Sequence, residues 1–416
     1  MLRSLLRRHP LGAYFTYRAL AMTWAFAPFQ VYYLQHRGLS VASIFDLNVV
    51  FCLAAVAFEV PTGVFADRHG RRLAMSAAGF VMTAACALFV LGRGFGVYAM
   101  ANVLCALAMT LSSGADSAWL FDHLEAGRQS SRYPRLEGWS TAAKGLGNLG
   151  AVLLGAVLYQ YVHPGAVFVF TGLITGTAGL VALELPERKG AREGFARDHL
   201  ARAFTLVGND SRILTVVAFG ALSFVLLRLS LFADQPHLEA HLTNGWLQRT
   251  VLTMGLLAAA KEVATAAVAG AAGWLFVRAR ARLLAAALGA SLVVAYALMG
   301  EGGGALCVTL MVALAGAFGV FSPLMRALLN RLIQGPRDRA TILSIEGMAR
   351  RLLFAAASPV FGRAVEASSL HATFAGTAYV AGLCYALLGF FALVAFRAVT
   401  LPSRPPGPDA LASLAR

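Results

Sequence analysis

The stretch Gly63-Val-Phe-Ala-Asp67-Arg68-His-Gly70-Arg71-Arg72 lies between two long apolar segments. A tight, basic, glycine-broken turn between apolar helices marks a short loop of a polytopic membrane protein, on the side that retains positive charge. The glycines permit a sharp turn and a close helix approach. Asp67 and the arginines offer ion pairs to neighbouring helices.

The rest of the chain agrees with a membrane setting. It has 416 residues, of which 58% are hydrophobic and only 13% charged, whereas about 25% of a typical soluble chain is charged. Lipid is the solvent that accommodates so much apolar surface. The formal net charge of +15 comes from basic residues in short loops, so membrane topology explains it better than nucleic acid does. Those loops lack the aromatic interleaving of single-strand binders, and no nucleic-acid partner is expected. All five cysteines (Cys52, Cys86, Cys105, Cys307, Cys384) sit in apolar segments without metal-like spacing and read as small buried hydrophobes. No Walker loop or nucleotide fingerprint occurs, so no cofactor is expected and ATP hydrolysis is disfavoured. The basic start Met1-Leu-Arg3-Ser-Leu-Leu-Arg7-Arg8 precedes an apolar run from Gly12 to Leu34, read as an uncleaved first span.

A membrane-crossing helix needs about 20 mostly apolar residues. That rule predicts spans near 12–34, 42–66, 73–92, 96–122, 137–160 and 166–184, then near 212–235, 247–276, 283–299, 305–326, 341–365 and 371–397. The seventh and eleventh are polar for their role. Basic residues cluster at the N-terminus and after spans 2, 4, 6, 8 and 10, while the intervening segments hold only Arg37, Arg93, Arg249 and Arg363. The alternation places both termini in the cytoplasm.

The chain also repeats at a shift of about 210 residues, with Gly63 to Leu73 falling on Gly273 to Leu283. Glu137-Gly138 falls on Glu346-Gly347, and Ala118 to Leu120 on Ala327 to Leu329. The expected organisation is an N-terminal six-helix bundle over 1–184, a cytoplasmic linker over 185–211, a C-terminal six-helix bundle over 212–398 and a disordered tail over 399–416. Within the linker, Asp198 to Val207 reads as a short amphipathic helix at the interface.

The interiors of spans 3, 6, 9 and 12 carry no charge, as expected for outer helices facing lipid around a polar cavity. Charges fall instead at Arg18, Asp46, Glu59, Asp116, Lys144, Arg228, Asp234, Lys261, Glu262, Arg326, Glu346, Arg350 and Arg351. Some have plain structural readings. Glu346 and Arg350 stand one helical turn apart and can pair locally, while Asp46 and Asp234 lie near span ends. Asp116, in Ser112-Ser113-Gly114-Ala115-Asp116-Ser117-Ala118, is either an ion-paired packing residue or a proton-carrying carboxylate. Glu59 precedes Pro61, which kinks a helix. The candidates for proton coupling are Asp116, Glu59 and Asp46. Those for the substrate cavity are Arg18, Lys144, Arg228, Asp234, Glu262, Glu346 and Arg350. With acids and bases similar in number, mutual pairing is expected rather than a one-signed pocket.

The loop resembles the signature G-x-x-x-D-R-x-G-R-R between helices 2 and 3 of the major facilitator superfamily, and Glu59 to Asp67 is similar to its bacterial efflux-type branch. The resemblance implies an all-α membrane protein with twelve transmembrane helices in two six-helix bundles, helices 1, 4, 7 and 10 lining the cavity. It implies a conformational latch of Gly63, Asp67, Arg68, Gly70, Arg71, Arg72 and Asp122. Gly63 would pack span 2 on span 11, Asp67 would meet the cytoplasmic end of span 11, and Arg71 would pair with Asp122. Span 5 departs from the family's drug antiporters: it has Lys144 and lacks their proline.

The expected function is proton-coupled export of a small amphipathic molecule by a monomer in a bacterial cytoplasmic membrane. Small-molecule substrate, protons and the lipid bilayer are the expected partners. An importer or facilitator of an organic anion or nutrient is the rival reading. A lipid-acting membrane enzyme is disfavoured because no histidine forms a convincing catalytic pair. A non-transporting sensor would tolerate joint loss of Asp67 and Asp116.

Overall fold

The structure, a computed structural model, describes residues 9–21, 23–187, 208, 210–241, 250–278, 281–302, 304–333 and 336–396. The basic N-terminus, the amphipathic segment expected at 198–207 and the tail from 399 lie outside the described residues, as does the side chain of Asp234.

Among the described residues every regular element is helical. The first eight helices are α1 (Pro10–Leu20), α2 (Gln30–His36), α3 (Val41–His69), α4 (Arg71–Leu91), α5 (Phe95–Ser112), α6 (Ala115–Ala126), α7 (Tyr133–Tyr161) and α8 (Ala166–Leu183). The remaining six are α9 (Ser211–His241), α10 (Thr250–Arg278), α11 (Ala281–Glu301), α12 (Gly304–Leu332), α13 (Pro336–Ala367) and α14 (Leu370–Phe396). Ten helices among the described residues are long and apolar enough to cross a membrane. The seventh span is one of them, reaching a mean hydropathy of 2.2 despite Arg228. The eleventh is not, because three ion-pairing residues interrupt its apolar surface.

Two expected spans are broken. The first is not one helix from 12 to 34: α1 stops at Leu20, and a single turn over Ala27–Phe29 leads into α2. Pro28, inside that turn, has no N–H to donate to the Trp24 carbonyl, which accepts the Ala27 N–H at 3.0 Å, and the Trp24 N–H donates to Asn148 Oδ1 at 3.2 Å. The fourth span is divided into α5 and α6 at Ser113-Gly114. Gly114 is left-handed there, with φ +80°, a conformation glycine adopts without steric cost.

Helices α1 to α8 pack chiefly on one another, as do α9 to α14. The two bundles meet along α3 against α13 and α7 against α10. Helices α4 and α8 pair on the outside of the first bundle, and α11 and α14 on the outside of the second. Leu173, Leu180, Tyr379 and Phe390 stand exposed on α8 and α14, a surface that only lipid covers favourably.

The bundle contacts are concentrated at one end. The Ala42 N–H donates to Glu366 Oε1 at 2.7 Å, and the Ser358 hydroxyl donates to the Phe45 carbonyl at 3.0 Å. Arg363 reaches Asp46 at 3.4 Å. A Cβ on Gly362 would stand 2.8 Å from the Cβ of Phe45, so only glycine allows α3 and α13 to close this tightly. At the opposite end, which carries the basic loops, a Cβ on Gly63, Gly138, Gly145 or Gly270 would meet nothing within 4 Å. These four helix faces are open.

Candidate functional site

A cavity of about 580 Å³ lies between the bundles. Its walls come from the break in the first span (Trp24, Pro28, Gln30), α3 (Asn48, Phe51), α5 (Asn102, Met109) and α7 (Lys144, Asn148). The other bundle supplies Phe224, Arg228 and Phe232 from α9, Lys261 and Glu262 from α10, and Arg350, Arg351 and Phe354 from α13. The outer helices α4, α8, α11 and α14 give none of the described lining. Spans 1, 4 and 7 line it as the resemblance implies, but α12, the tenth span, gives none of the described lining. Spans 2, 5, 8 and 11 contribute in its place, because the walls are the helices that meet across the bundle interface.

Of the cavity candidates, the structure puts Lys144, Arg228, Glu262 and Arg350 on this wall. Arg18 and Glu346 are elsewhere. Arg18 is buried within the first bundle, ion-paired to Asp116, with Glu137 Oε1 3.9 Å from its other nitrogen. The Ser117 hydroxyl donates to Glu137 at 2.7 Å, and the Ser117 N–H to Asp116 at 2.7 Å, closing a network across α1, α6 and α7. Asp116 therefore takes the paired arrangement in this conformation. Glu346, 2% exposed, pairs with Arg350 at 2.8 Å one turn along α13.

The other two proton-coupling candidates also face arginines, both across the bundle interface. Glu59 binds Arg351 at 2.7 Å and Asp46 binds Arg363. Glu262 differs. Its Oε1 accepts a 2.8 Å hydrogen bond from the Asn148 amide, which also receives the Trp24 N–H. Asn148 thus ties the broken first span to the second bundle. Sequence reasoning passed over it because a lone asparagine on a helix carries no charge signal. Glu137 was also missed as a site residue, although its alignment with Glu346 in the internal repeat marked it.

The balance of charge departs from expectation. Five cations line the cavity (Lys144, Arg228, Lys261, Arg350, Arg351), against one described carboxylate, Glu262. The acids that answer Arg350 and Arg351 stand behind the wall. Arg228 lies over the Phe232 ring, 5.5 Å from its centroid.

At the basic end, Gly70 turns the chain from α3 into α4 with φ +102°. Asp67 pairs with Arg71 at 2.6 Å within the loop. Arg68 is exposed, and Asp122 lies half-buried on α6. Gly63 faces open space, so the packing against span 11 implied by the resemblance is not made in this conformation. A contact the sequence did not suggest holds the loop. Glu187, just beyond α8, accepts the Arg71 N–H at 3.1 Å and the Arg72 N–H at 2.9 Å. A carboxylate there satisfies unpaired N–H groups at the helix start and complements the helix dipole. The Trp119 indole holds the adjoining Pro186 carbonyl at 3.0 Å.

Paired outer helices, two bundles meeting on four inner helices and a central cavity between them are the architecture of a twelve-span membrane transporter. The sequence profile of the Major Facilitator Superfamily matches residues 15–357, and the chain belongs to that family. An uncharacterized MFS-type transporter of Bacillus subtilis (strain 168), YxaM, is 31% identical over 103 residues; the match spans 25% of this chain and 26% of that one. The crystal structure of the nucleoside transporter NupG superposes with a TM-score of 0.76 at 14% identity, covering 95% of this chain and all (100%) of that one. A bacterial homologue of the human lysosomal transporter Spinster, crystallised in an inward-facing and occupied conformation, gives 0.68 at 15% identity over 95% and 97% of the two chains. The fold is shared with these proteins, and the chain is a transporter, not an enzyme.

Proposed function

We propose that this protein is a proton-coupled secondary transporter that exports a small amphipathic molecule across a bacterial cytoplasmic membrane, acting as a monomer. The observation that carries this reading is the cavity between the bundles, with open glycine faces toward the end that bears the basic loops and the bundles' joining contacts gathered at the other. The positive-inside rule assigns the open end to the cytoplasm, making this an inward-open state ready to load cargo from the cell. Rocking of residues 1–184 against 212–398 about the cavity would expose it to the far side. In that swing the Asp46–Arg363 and Phe45–Ser358 contacts break, and the loop around Gly63 and Asp67 meets span 11.

Proton coupling is assigned to carboxylates that can exchange partners. Protonation of Asp116 would release Arg18 toward Glu137, the second acid already beside it. Glu262, held by an amide rather than a cation, is the other carrier, and it faces the cargo directly.

The test is accumulation of amphipathic cations, neutral compounds and organic anions in an efflux-deficient bacterium expressing the chain, with and without protonophore. Lower accumulation that is lost with protonophore, and lost in Asp116→Asn or Glu262→Gln, is expected. Raised accumulation would reverse the direction in favour of uptake. Export that persists in both variants and under protonophore would remove the proton from the mechanism.

A further inference from the structure

We propose that the cavity binds an organic anion with an aromatic body, its charged group held between Lys144 of the first bundle and Arg228 of the second. The proposal rests on the transporter reading above and names the class of its cargo.

The first support is charge. Among the described residues, no carboxylate lies within ion-pair distance of Arg228 or Lys144; the wall's one acid, Glu262, attracts Lys144 from beyond that distance and is hydrogen-bonded by Asn148, which leaves Arg228 without a described counter-charge. Arginine keeps its proton in any protein setting, and a cation at the bilayer centre costs about 2.5–3.5 kcal/mol on insertion scales. A fixed cation without a protein counter-charge is understandable where a ligand supplies one. The internal repeat sharpens this. The shift that sets Gly63 on Gly273 sets Arg18 on Arg228. Arg18 is neutralised by Asp116, whereas the shift that sets Ala118 on Ala327 puts Met325 in the place of that acid. One half of the molecule has kept the arginine and lost its partner.

The second support is shape. Trp24 and Phe51 meet edge to face at 5.9 Å on one wall, and Phe232 and Phe354 stack at 6.1 Å on the other. A flat apolar body of modest size fits between such walls, and about 580 Å³ falls in the range of small-ligand pockets. A cationic amphiphile would meet the same rings but be repelled by the charge. Because Lys144 and Arg228 belong to different bundles, an anion between them draws the halves together, so that binding itself favours closure of the open end.

The test uses the purified full chain in detergent, reading ligand binding by thermal unfolding and by tryptophan fluorescence, since Trp24 lines the cavity. The probes are naphthoate, naphthyl phosphate, neutral naphthamide and naphthylmethylammonium; the first two separate a carboxylate from a phosphate ligand. One or both anions should raise the melting temperature, naphthamide should bind at least about tenfold more weakly and the ammonium not at all. Arg228→Gln and Lys144→Gln should each weaken anion binding by about tenfold, while Arg228→Lys keeps most of it. Should a neutral variant not fold, salt serves instead: added salt should weaken anion binding and leave naphthamide unchanged. Equal binding of the amide or ammonium, no binding by either anion, or anion binding indifferent to both substitutions and to salt would overturn the proposal. No gradient is needed for this measurement. Anion binding without transport would sink only the transporter reading, and export of a cation without anion binding would sink only this one.

Discussion

The two bundles are built from repeated halves but spend their charge differently. In the first, Arg18, Asp116 and Glu137 form a closed network inside the bundle, away from the cavity. In the second, Arg228 faces the cavity with an aromatic ring as its neighbour, and Glu346 answers Arg350 on the same helix. The backbones differ too. The first bundle breaks two cavity helices, at residues 21–29 and at Ser113-Gly114, whereas α9 and α12 run unbroken through the corresponding spans. One half ties its arginine up inside the bundle and breaks its helices; the other keeps its helices unbroken and presents Arg228 to the cavity. A transporter needs both: a hinge-like half that can re-aim its walls, and a fixed set of charges for the cargo to meet.

This contrast predicts opposite responses to losing a charge. Asp116→Ala removes the main partner of buried Arg18, leaving it only Glu137 at 3.9 Å, and should cost up to about 3–5 kcal/mol, the usual ceiling for removing one partner of a buried pair. The double variant Arg18→Gln/Asp116→Asn should recover most of that loss, because two neutral amides replace the buried pair and Glu137 keeps its hydrogen bond from Ser117. Arg228→Gln should leave the melting temperature unchanged or raise it, as no carboxylate is stranded. Thermal unfolding in detergent decides the matter, and a loss for Arg228→Gln as large as for Asp116→Ala would erase the distinction between the bundles.

Next in size is the backbone break. Gly114→Ala places a Cβ in a left-handed position and should cost about 1–2 kcal/mol. A melting temperature unaffected by this change would mean that α5 and α6 can join into one unbroken helix, as in α12. The smallest effect belongs to the loop cap. Glu187→Gln keeps the shape but gives up a charge at the start of α4, at about 0.3–1 kcal/mol. Faster hydrogen exchange at the Arg71 and Arg72 amides should report it, and unchanged exchange would remove Glu187 from the loop's support.

Much of this architecture was legible in the chain. Burial in lipid is a one-dimensional property, so apolar stretches of sufficient length announce most spans, and the basic loops mark which ends share a side. The Glu346–Arg350 pair was readable for the same reason: residues one turn apart on a helix must be neighbours. The loop around Gly70 announced its turn through glycine and its charge.

The break in the first span was not readable, because Pro28 alone does not end a helix of that apolarity; the partner that takes the freed Trp24 N–H comes from α7. Nor was the sign of the cavity. Counting acids and bases suggested general neutralisation, but an acid neutralises only what it touches. Asp116 reaches Arg18 across 98 positions, Asn148 reaches Glu262 across 114, and Glu59 reaches Arg351 across 292. Those pairings hold Asp116 inside a bundle and Glu59 behind the wall, engage Glu262 on it, and leave the cations facing the cavity. Coulomb attraction falls with distance and hydrogen bonds act only at contact, so which charges remain for a cargo is set by packing in three dimensions rather than by the order of residues along the chain.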